Sequence, residues 1–377
     1  MKIEGEQTRS IWLQADGWSV GIFDQRRLPW AVERLVLRTL DDAAIAIADM
    51  ATRGAPLIGA VAAYGLALGL RDDPTDAALA RGFVRLLATR PTAVNLRWAL
   101  ERVRNAVARL APSARAAAAY AEGGRICDED VAINRAIGEG GLALLRAAAA
   151  RKGRAPLNIL THCNAGWLAT VDWGTATAPI YRAHDEGMAL HVWVDETRPR
   201  NQGALTAFEL AAHGVPHSLI ADNAGGLLMQ RGEVDLVIVG TDRVTANGDV
   251  CNKIGTYLKA LAAQAHGIPF YVALPSSTYD PMTPDGAGIE IEERSPDELR
   301  FLSGPDASGT PRRIAVTTSP ARNPAFDVTP AALVTAYITE AGVIADAAGL
   351  AGAFATGMGE QAGIRASPLG QRLIHQI

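Results

Sequence analysis

The string "THCNAG", residues 161 to 166, closes an apolar run, "PLNIL", and holds Cys163, one of three cysteines in the chain. A bend containing Asn164 and Gly166 at the end of a strand lifts that thiol toward whatever crevice lies beyond the sheet. An ordinary thiol has a pKa of roughly 8.5, so proton chemistry near neutrality needs positive charge or a helix terminus close by. Isolated cysteines are more often inert and buried, and Cys127 and Cys251 read that way. A second string, "VGTDRVTANGDVCNK", places Asp242 just past a strongly apolar strand, then a polar loop, then a helix expected to begin near Asn252. A carboxyl group in such a position serves as a general acid when burial or a bound anion raises its pKa. Asn252 and Lys253 would lie at the helix start, where backbone amides and an ammonium group can hold phosphate. Lys253 is one of four lysines, the other 32 of 36 basic residues being arginine.

Two further strings offer anion sites. In "TRGAPLIGAVAAYG", Arg53 and Gly54 precede Ala55 and Pro56, and proline is favoured in the first turn of a helix, where its missing N–H costs nothing. The free amides of that turn, with Arg53, would bind an anion, although an ordinary helix start beside a surface arginine looks the same. "DETRPRNQGALTAFEL" sets Arg198, Arg200 and Gln202 around a strand-to-helix turn. Neither string is a P-loop, and no GxGxxG follows a strand, so nucleoside triphosphate and nicotinamide chemistry lack their usual cradle. These parts fit a monophosphate held between two domains.

The elements that must position these residues follow from the periodicity. Up to about residue 145 helical spacing dominates, with a small sheet near "WSVGIFDQRRLPWAVERLVL". After "RKGRAP" short apolar runs alternate with helical stretches: "LNILTHC", "ALHVWVDE", "PHSLIAD", "VDLVIVGTD" and "IPFYVALPSS". That rhythm predicts an α/β chain: a mainly helical N-terminal domain with a small β-sheet, residues 1–145, then a Rossmann-like parallel-sheet C-terminal domain, residues 146–377. Ligands bind beyond the carboxyl ends of such strands. Here those ends carry Cys163, Asp195 with Glu196, Asp222, Asp242, and Ser276 with Ser277, although an Asp at a strand end is often only a helix cap. The stretch from Asp280 to Arg322 reads as loop with a short strand at "GIEIEE", and "TPAALVTAYITEAGVI" reads as a helix.

Composition limits the function classes. A chain of 377 residues with 49% hydrophobic and 20% charged residues buries a substantial interior and is too long for one ordinary core. The net charge is −4 and no basic block stands out, so nucleic acid is not an expected partner. The longest apolar run is broken by glycines and too short to span a bilayer, and the first residues lack a signal core, giving a cytoplasmic expectation. The cysteines show no CxxC and the seven histidines no HExxH spacing, so neither a disulfide framework nor a metal is expected.

The strings "MATRGAPLIGAVAAYG", "RPTAVNL", "THCNAG", "DETRPRNQGA", "GTDRVTANGDVCNKIGTY" and "NPAFDVTPAALVTAYITEAGVI" closely resemble the methylthioribose-1-phosphate isomerase family, in order along most of the chain. The wider superfamily includes ribose-1,5-bisphosphate isomerases and the regulatory subunits of eukaryotic initiation factor 2B. The resemblance implies a cytoplasmic homodimer, with no metal or organic cofactor, that converts an aldose into a ketose in methionine salvage. By motif, Cys163 and Asp242 match the catalytic pair. Arg53, Gly54, Ala55, Arg90 of "RPTA", Gln202, Asn252 and Lys253 match the substrate and phosphate contacts. Arg90 comes from the resemblance alone, since by itself it reads as an arginine before Pro91. The chain departs from the family at "GTATAP", at Asn201 and in a "QGALTAFEL" stretch one residue shorter. Those departures flank the site and leave both catalytic positions in place. They bear on the 5-substituent of the sugar, so 5-deoxyribose 1-phosphate is a further expected substrate, and the alternative reading is an isomerase of another ribose 1-phosphate derivative. A noncatalytic regulatory subunit would not be expected to keep both Cys163 and Asp242.

Overall fold

Apolar and aromatic residues at Ile11–Leu13, Val20–Phe23 and Arg34–Leu37 pair into a three-stranded antiparallel sheet. The computed structural model to which this sheet belongs describes residues 1–3, 5–90 and 93–355. Four helices follow, Leu40–Ala48, Ala55–Asp72, Asp76–Leu87 and Val94–Val107. The first is fixed by a reciprocal cap, in which Thr39 accepts from the Asp42 N–H at 3.0 Å and the Asp42 carboxylate accepts from the Thr39 N–H at 2.9 Å. Helix Ala55–Asp72 is apolar on nearly every side and occupies the centre of this part. A long helix, Pro112–Lys152, then serves two cores. Ala119, Ile126 and Cys127 face the helical core, and Ile137, Leu142 and Leu145 pack against the main sheet.

That sheet has seven strands in the order Gly342–Ile344, Ala336–Thr339, Phe270–Ala273, Leu236–Val239, Leu157–Thr161, Leu190–Asp195, His217–Ile220. All pairs are parallel except the one made by Gly342–Ile344. Helices Ala178–Asp185, Gln202–His213, Ala224–Gln230 and Thr256–Ala265 cross between strands, as the alternation predicts. From Leu157–Thr161 the chain winds to one edge, then returns to Leu236–Val239 and winds to the other. The two central strands, in register at Leu160 and Val237, therefore flank a topological switch point, where a crevice opens beyond their carboxyl ends.

Three expectations need correction. The segment read as a final helix, residues 329–344, forms strands Ala336–Thr339 and Gly342–Ile344, and another strand, Phe326–Thr329, leads into it. Tyr337 and Ile338 bury on opposite faces of the sheet, a period of two that only a strand provides. "GIEIEE" forms no strand beyond an isolated bridge from Glu293 to Pro324. The same stretch does contain a hairpin, Phe301–Pro305 with Pro311–Ala315, whose outer strand is exposed throughout and so lacks the apolar alternation that marks buried strands.

Candidate active site

At the switch point a cavity of about 310 Å³ is lined by Cys163, Asp242, Arg53, Gly54, Ala55, Arg90, Gln202, Asn252 and Lys253. All nine residues that the family motifs match reach it, whereas Arg198 and Arg200 of the second anion string do not. Pro91 and Thr92 of the "RPTA" string lie outside the described residues.

Cys163 adopts φ 67°, a left-handed conformation that non-glycine residues rarely take. Its backbone is clamped on both sides. The N–H donates to Thr197 Oγ1 at 2.9 Å, and the carbonyl accepts from Thr206 Oγ1 at 3.0 Å. The rest of the turn is locked by Glu209, whose carboxylate accepts from the Leu168 N–H at 2.6 Å and from Asn164 Nδ2 at 3.3 Å. Gly166 faces this carboxylate so closely that a Cβ would lie 1.5 Å from Oε2, so any side chain here would have to displace Glu209 from the bonds that lock the turn. Burial pushes the Cys163 thiol above its ordinary pKa; Lys253 pulls it down, Asp242 pushes it up, and Arg53 also pulls it down. The sequence called for positive charge beside this thiol, and two cations are there, but burial outweighs them.

Asp242 is held by its own N–H, which donates to the Cys251 carbonyl at 3.0 Å. Burial raises its carboxyl pKa, against the pull of Lys253, Arg90 and Arg294. The direction is the one a general acid requires.

Asn252 and Lys253 are not at a helix start. They end the strand Val250–Lys253, which pairs with Arg243–Thr245 and with Phe326–Thr329, and the helix begins only at Thr256. The Gly255 and Tyr257 N–H groups at that terminus donate to the Asp327 carboxylate at 2.7 and 3.2 Å, so they are taken. Lys253 instead lays its ammonium over the Phe326 ring, 4.3 Å from the centroid. Burial, with Arg294 nearby, brings its pKa down to about 8.

The helix Ala55–Asp72 does present its N-terminus to the cavity. Gly54 precedes it at φ 97° without a side-chain cap, and Gly54, Ala55, Pro56 and Ile58 all line the space. Arg53, lowered by burial to about 10, donates from Nε to Gln25 Oε1 at 3.3 Å. Gln202 opens helix Gln202–His213, and its buried Oε1, like Asn164 Oδ1, has no hydrogen-bond partner.

Arg198 and Arg200 turn away: Arg198 Nη1 donates to the Pro199 carbonyl at 2.9 Å and Arg200 pairs with Glu298 at 2.7 Å. Of the five strand ends, those of Cys163 and Asp242 serve the cavity. Asp195 binds His162 Nδ1 at 2.9 Å and lies 3.2 Å from Lys259 Nζ. Asp222 accepts from the Thr197 and Arg198 N–H groups at 2.7 and 2.8 Å. Ser277 accepts from Asn95 Nδ2 at 2.8 Å. His162, Asp195 and Asp222 are the described residues whose side chains could converge on a metal. The Lys259 ammonium and the amides on Asp222 make them a poor cation site. Arg294, which also lines the cavity, escaped the sequence reading because its neighbours read as loop.

The model of the initiation factor 2 subunit family matches residues 51–346. The chain belongs to that family. A methylthioribose-1-phosphate isomerase of Acidiphilium cryptum is 63% identical over 350 residues, covering 92% of this chain and 95% of the relative. The crystal structure of 5-methylthioribose 1-phosphate isomerase from Pyrococcus horikoshii OT3 superposes with a TM-score of 0.79 at 39% identity, over 93% of this chain and 97% of the other. A structure described as translation initiation factor eIF-2B, subunit delta, from A. fulgidus gives a TM-score of 0.75 at 40% identity, over 90% and 96%.

Proposed function

We propose that this chain is an aldose–ketose isomerase that converts 5-methylthioribose 1-phosphate into 5-methylthioribulose 1-phosphate in methionine salvage. The observation that carries the chemistry is the convergence of Cys163 and Asp242, from neighbouring parallel strands, on one cavity that also holds Arg53 and Lys253. Phosphate on the anomeric oxygen prevents the spontaneous ring opening of a free sugar, so the enzyme must open the ring. Asp242 protonates the ring oxygen as its bond to C1 breaks. Cys163, as thiolate, takes the proton from C2 and returns it to C1, and the C2 hydroxyl proton passes back to Asp242. Arg53, Lys253 and the amides after Gly54 anchor the phosphate, with Ala55, Arg90, Gln202 and Asn252 completing the contacts. The electrons stay within the sugar, so the cycle needs no outside oxidant or reductant.

The working unit is a cytoplasmic homodimer. The edge strand His217–Ile220 and helices Ala224–Gln230 and Thr256–Ala265 leave Leu219, Leu227 and Leu258 exposed, an apolar surface that supports a second copy. Among the described residues no helix is long and apolar enough to cross a membrane. 5-Deoxyribose 1-phosphate is a further substrate of the same site.

Two tests apply. Turnover in deuterated water is expected to place solvent deuterium at C1; complete absence of label would favour a hydride shift from C2 to C1 instead. Cys163→Ser and Asp242→Asn are each expected to lower kcat by roughly 10³-fold or more while phosphate still binds, as for loss of an essential proton-transfer group. Near-normal rates in either variant would remove that residue from its catalytic role, whereas no ketose formation by wild type would favour the second reading, a noncatalytic regulatory subunit, to which the A. fulgidus structure gives its support.

A further inference from the structure

Of the four arginines that line the cavity, Arg90 and Arg294 pair with Glu292 at 3.5 and 3.2 Å, and Arg243 lies 3.4 Å from Asp280. Arg53 is the exception: among the described residues no carboxylate pairs with it. Its partner is an amide. Nε donates to Gln25 Oε1 at 3.3 Å, and neither Nη group makes a hydrogen bond among the described residues.

Gln25 lies just past the strand Val20–Phe23 and is 4% exposed, outside the cavity wall itself. Its N–H donates to the Ala51 carbonyl at 2.9 Å, two residues before Arg53. Its Nε2 donates to the Leu168 carbonyl at 2.7 Å. That bond decides which end of the amide meets Arg53, since a flipped amide would set oxygen against oxygen and N–H against guanidinium. Leu168 belongs to the turn behind Cys163, and its N–H is the one held by Glu209 at 2.6 Å, so its peptide groups are gripped on both sides. One residue on, Gly54 approaches Ala169 so closely that a Cβ would lie 2.3 Å from Ala169 Cα. The Gln25 amide thus joins the Arg53 guanidinium, at the entry to helix Ala55–Asp72, to the turn that carries the thiol.

An amide does here what a carboxylate would not. It orients the guanidinium through Nε, leaves both Nη groups for the paired contact that arginine makes with phosphate, and does not neutralise the charge on which the anion depends. A guanidinium already aligned also loses less rotamer freedom when the anion arrives. We propose that Gln25 is a positioning residue that aligns Arg53 for the substrate's phosphate and fixes it relative to the Cys163 turn. This inference rests on the isomerase reading in taking that anion to be the phosphate of the sugar.

The test is a double-mutant cycle read by calorimetry with inorganic phosphate as the probe. Gln25→Met keeps the length of the side chain and removes both amide bonds. With Arg53 in place it is expected to weaken phosphate binding about fivefold to tenfold; in an Arg53→Lys background, where the charge remains without an Nε–H, it should change Kd by less than about twofold. Gln25→Asn, which keeps an amide but withdraws it by one methylene, is expected to show the same dependence on Arg53 and decides the matter if Gln25→Met does not fold. Equal losses in the two backgrounds overturn the inference, because Gln25 would then support the cavity without acting through Arg53. An unchanged Kd in both Gln25 variants overturns it too, as does a wild type that binds no phosphate. Failure of the isomerase reading looks different: wild type then forms no ketose, while the phosphate cycle still decides the role of Gln25.

Discussion

Dehydration of the cavity opposes charge on both reacting groups, because burial raises the thiol of Cys163 and the carboxyl of Asp242 alike. The proposed cycle needs the pair to hold one proton, placed on Asp242 with the sulfur ionised. That arrangement is a minor form of a pair whose single proton resides mostly on sulfur, so the apparent pKa values belong to the pair. It forms as the first proton leaves the pair and disappears as the second leaves. The expected profile of kcat/KM is therefore bell-shaped. Its acid limb lies above the ordinary aspartate value of roughly 3.9, and its alkaline limb lies above the ordinary thiol value of roughly 8.5. Measuring kcat/KM from pH 4 to 10 checks this, and an acid limb at or below the ordinary aspartate value would remove Asp242 from the acid role. Lys253, which loses its own proton near 8, adds an earlier decline on the alkaline side, ahead of the limb set by the pair.

At the scale of elements, helix Gln202–His213 supplies both Gln202 to the cavity and Glu209 to the turn behind Cys163. Glu209 is fully buried and raised to about 8, by burial first. A carboxyl whose folded pKa exceeds its unfolded value stabilises the fold most at low pH. That contribution is lost as pH rises from the unfolded value of roughly 4.3 through about 8, at up to ~1.4 kcal/mol per pH unit. Glu209→Gln is expected to flatten the decline in unfolding free energy between pH 5 and 8, which denaturant melts at several pH values would measure; an unaltered slope would show that Glu209 is not its source. The elements that carry Cys163 and Asp242 were legible because strand period, bend and crevice follow from local pattern. Asn252 and Lys253 were read as cavity residues on the wrong element, since their strand is defined by pairing with Phe326–Thr329, more than seventy positions away. Arg294 and Glu292 left no local signal at all. Their surroundings read as loop; Arg294 lines the cavity, and Glu292 pairs with Arg90, which approaches from the helical part.

For the whole molecule, the cavity takes walls from both parts of the chain, with Met50, Arg53 and Arg90 on one side and Cys163, Asp242 and Lys253 on the other. We propose that residues 1–145 and 146–377 act as two units across it. Gathering cations there works against folding, since each charge is desolvated and repels its neighbours. Lys253 shows the cost most directly. Its folded pKa of about 8 lies below the ordinary lysine value of roughly 10.4, so the unfolded chain binds the proton more tightly and stability rises with pH between those values. At neutral pH the folded protein therefore carries a penalty that Lys253→Met removes, a gain of roughly 2 kcal/mol in unfolding free energy after allowing for relaxation of the site. Function reverses the sign. A phosphate dianion binds the folded state alone and should raise the Tm of wild type by mass action, beyond the effect of chloride at equal ionic strength. In Lys253→Met the baseline Tm should be higher and the phosphate-dependent increment largely gone. A variant that is less stable than wild type, or that keeps the full phosphate increment, would mean that Lys253 serves packing against Phe326 rather than anion binding, and the cationic cavity would need another anchor.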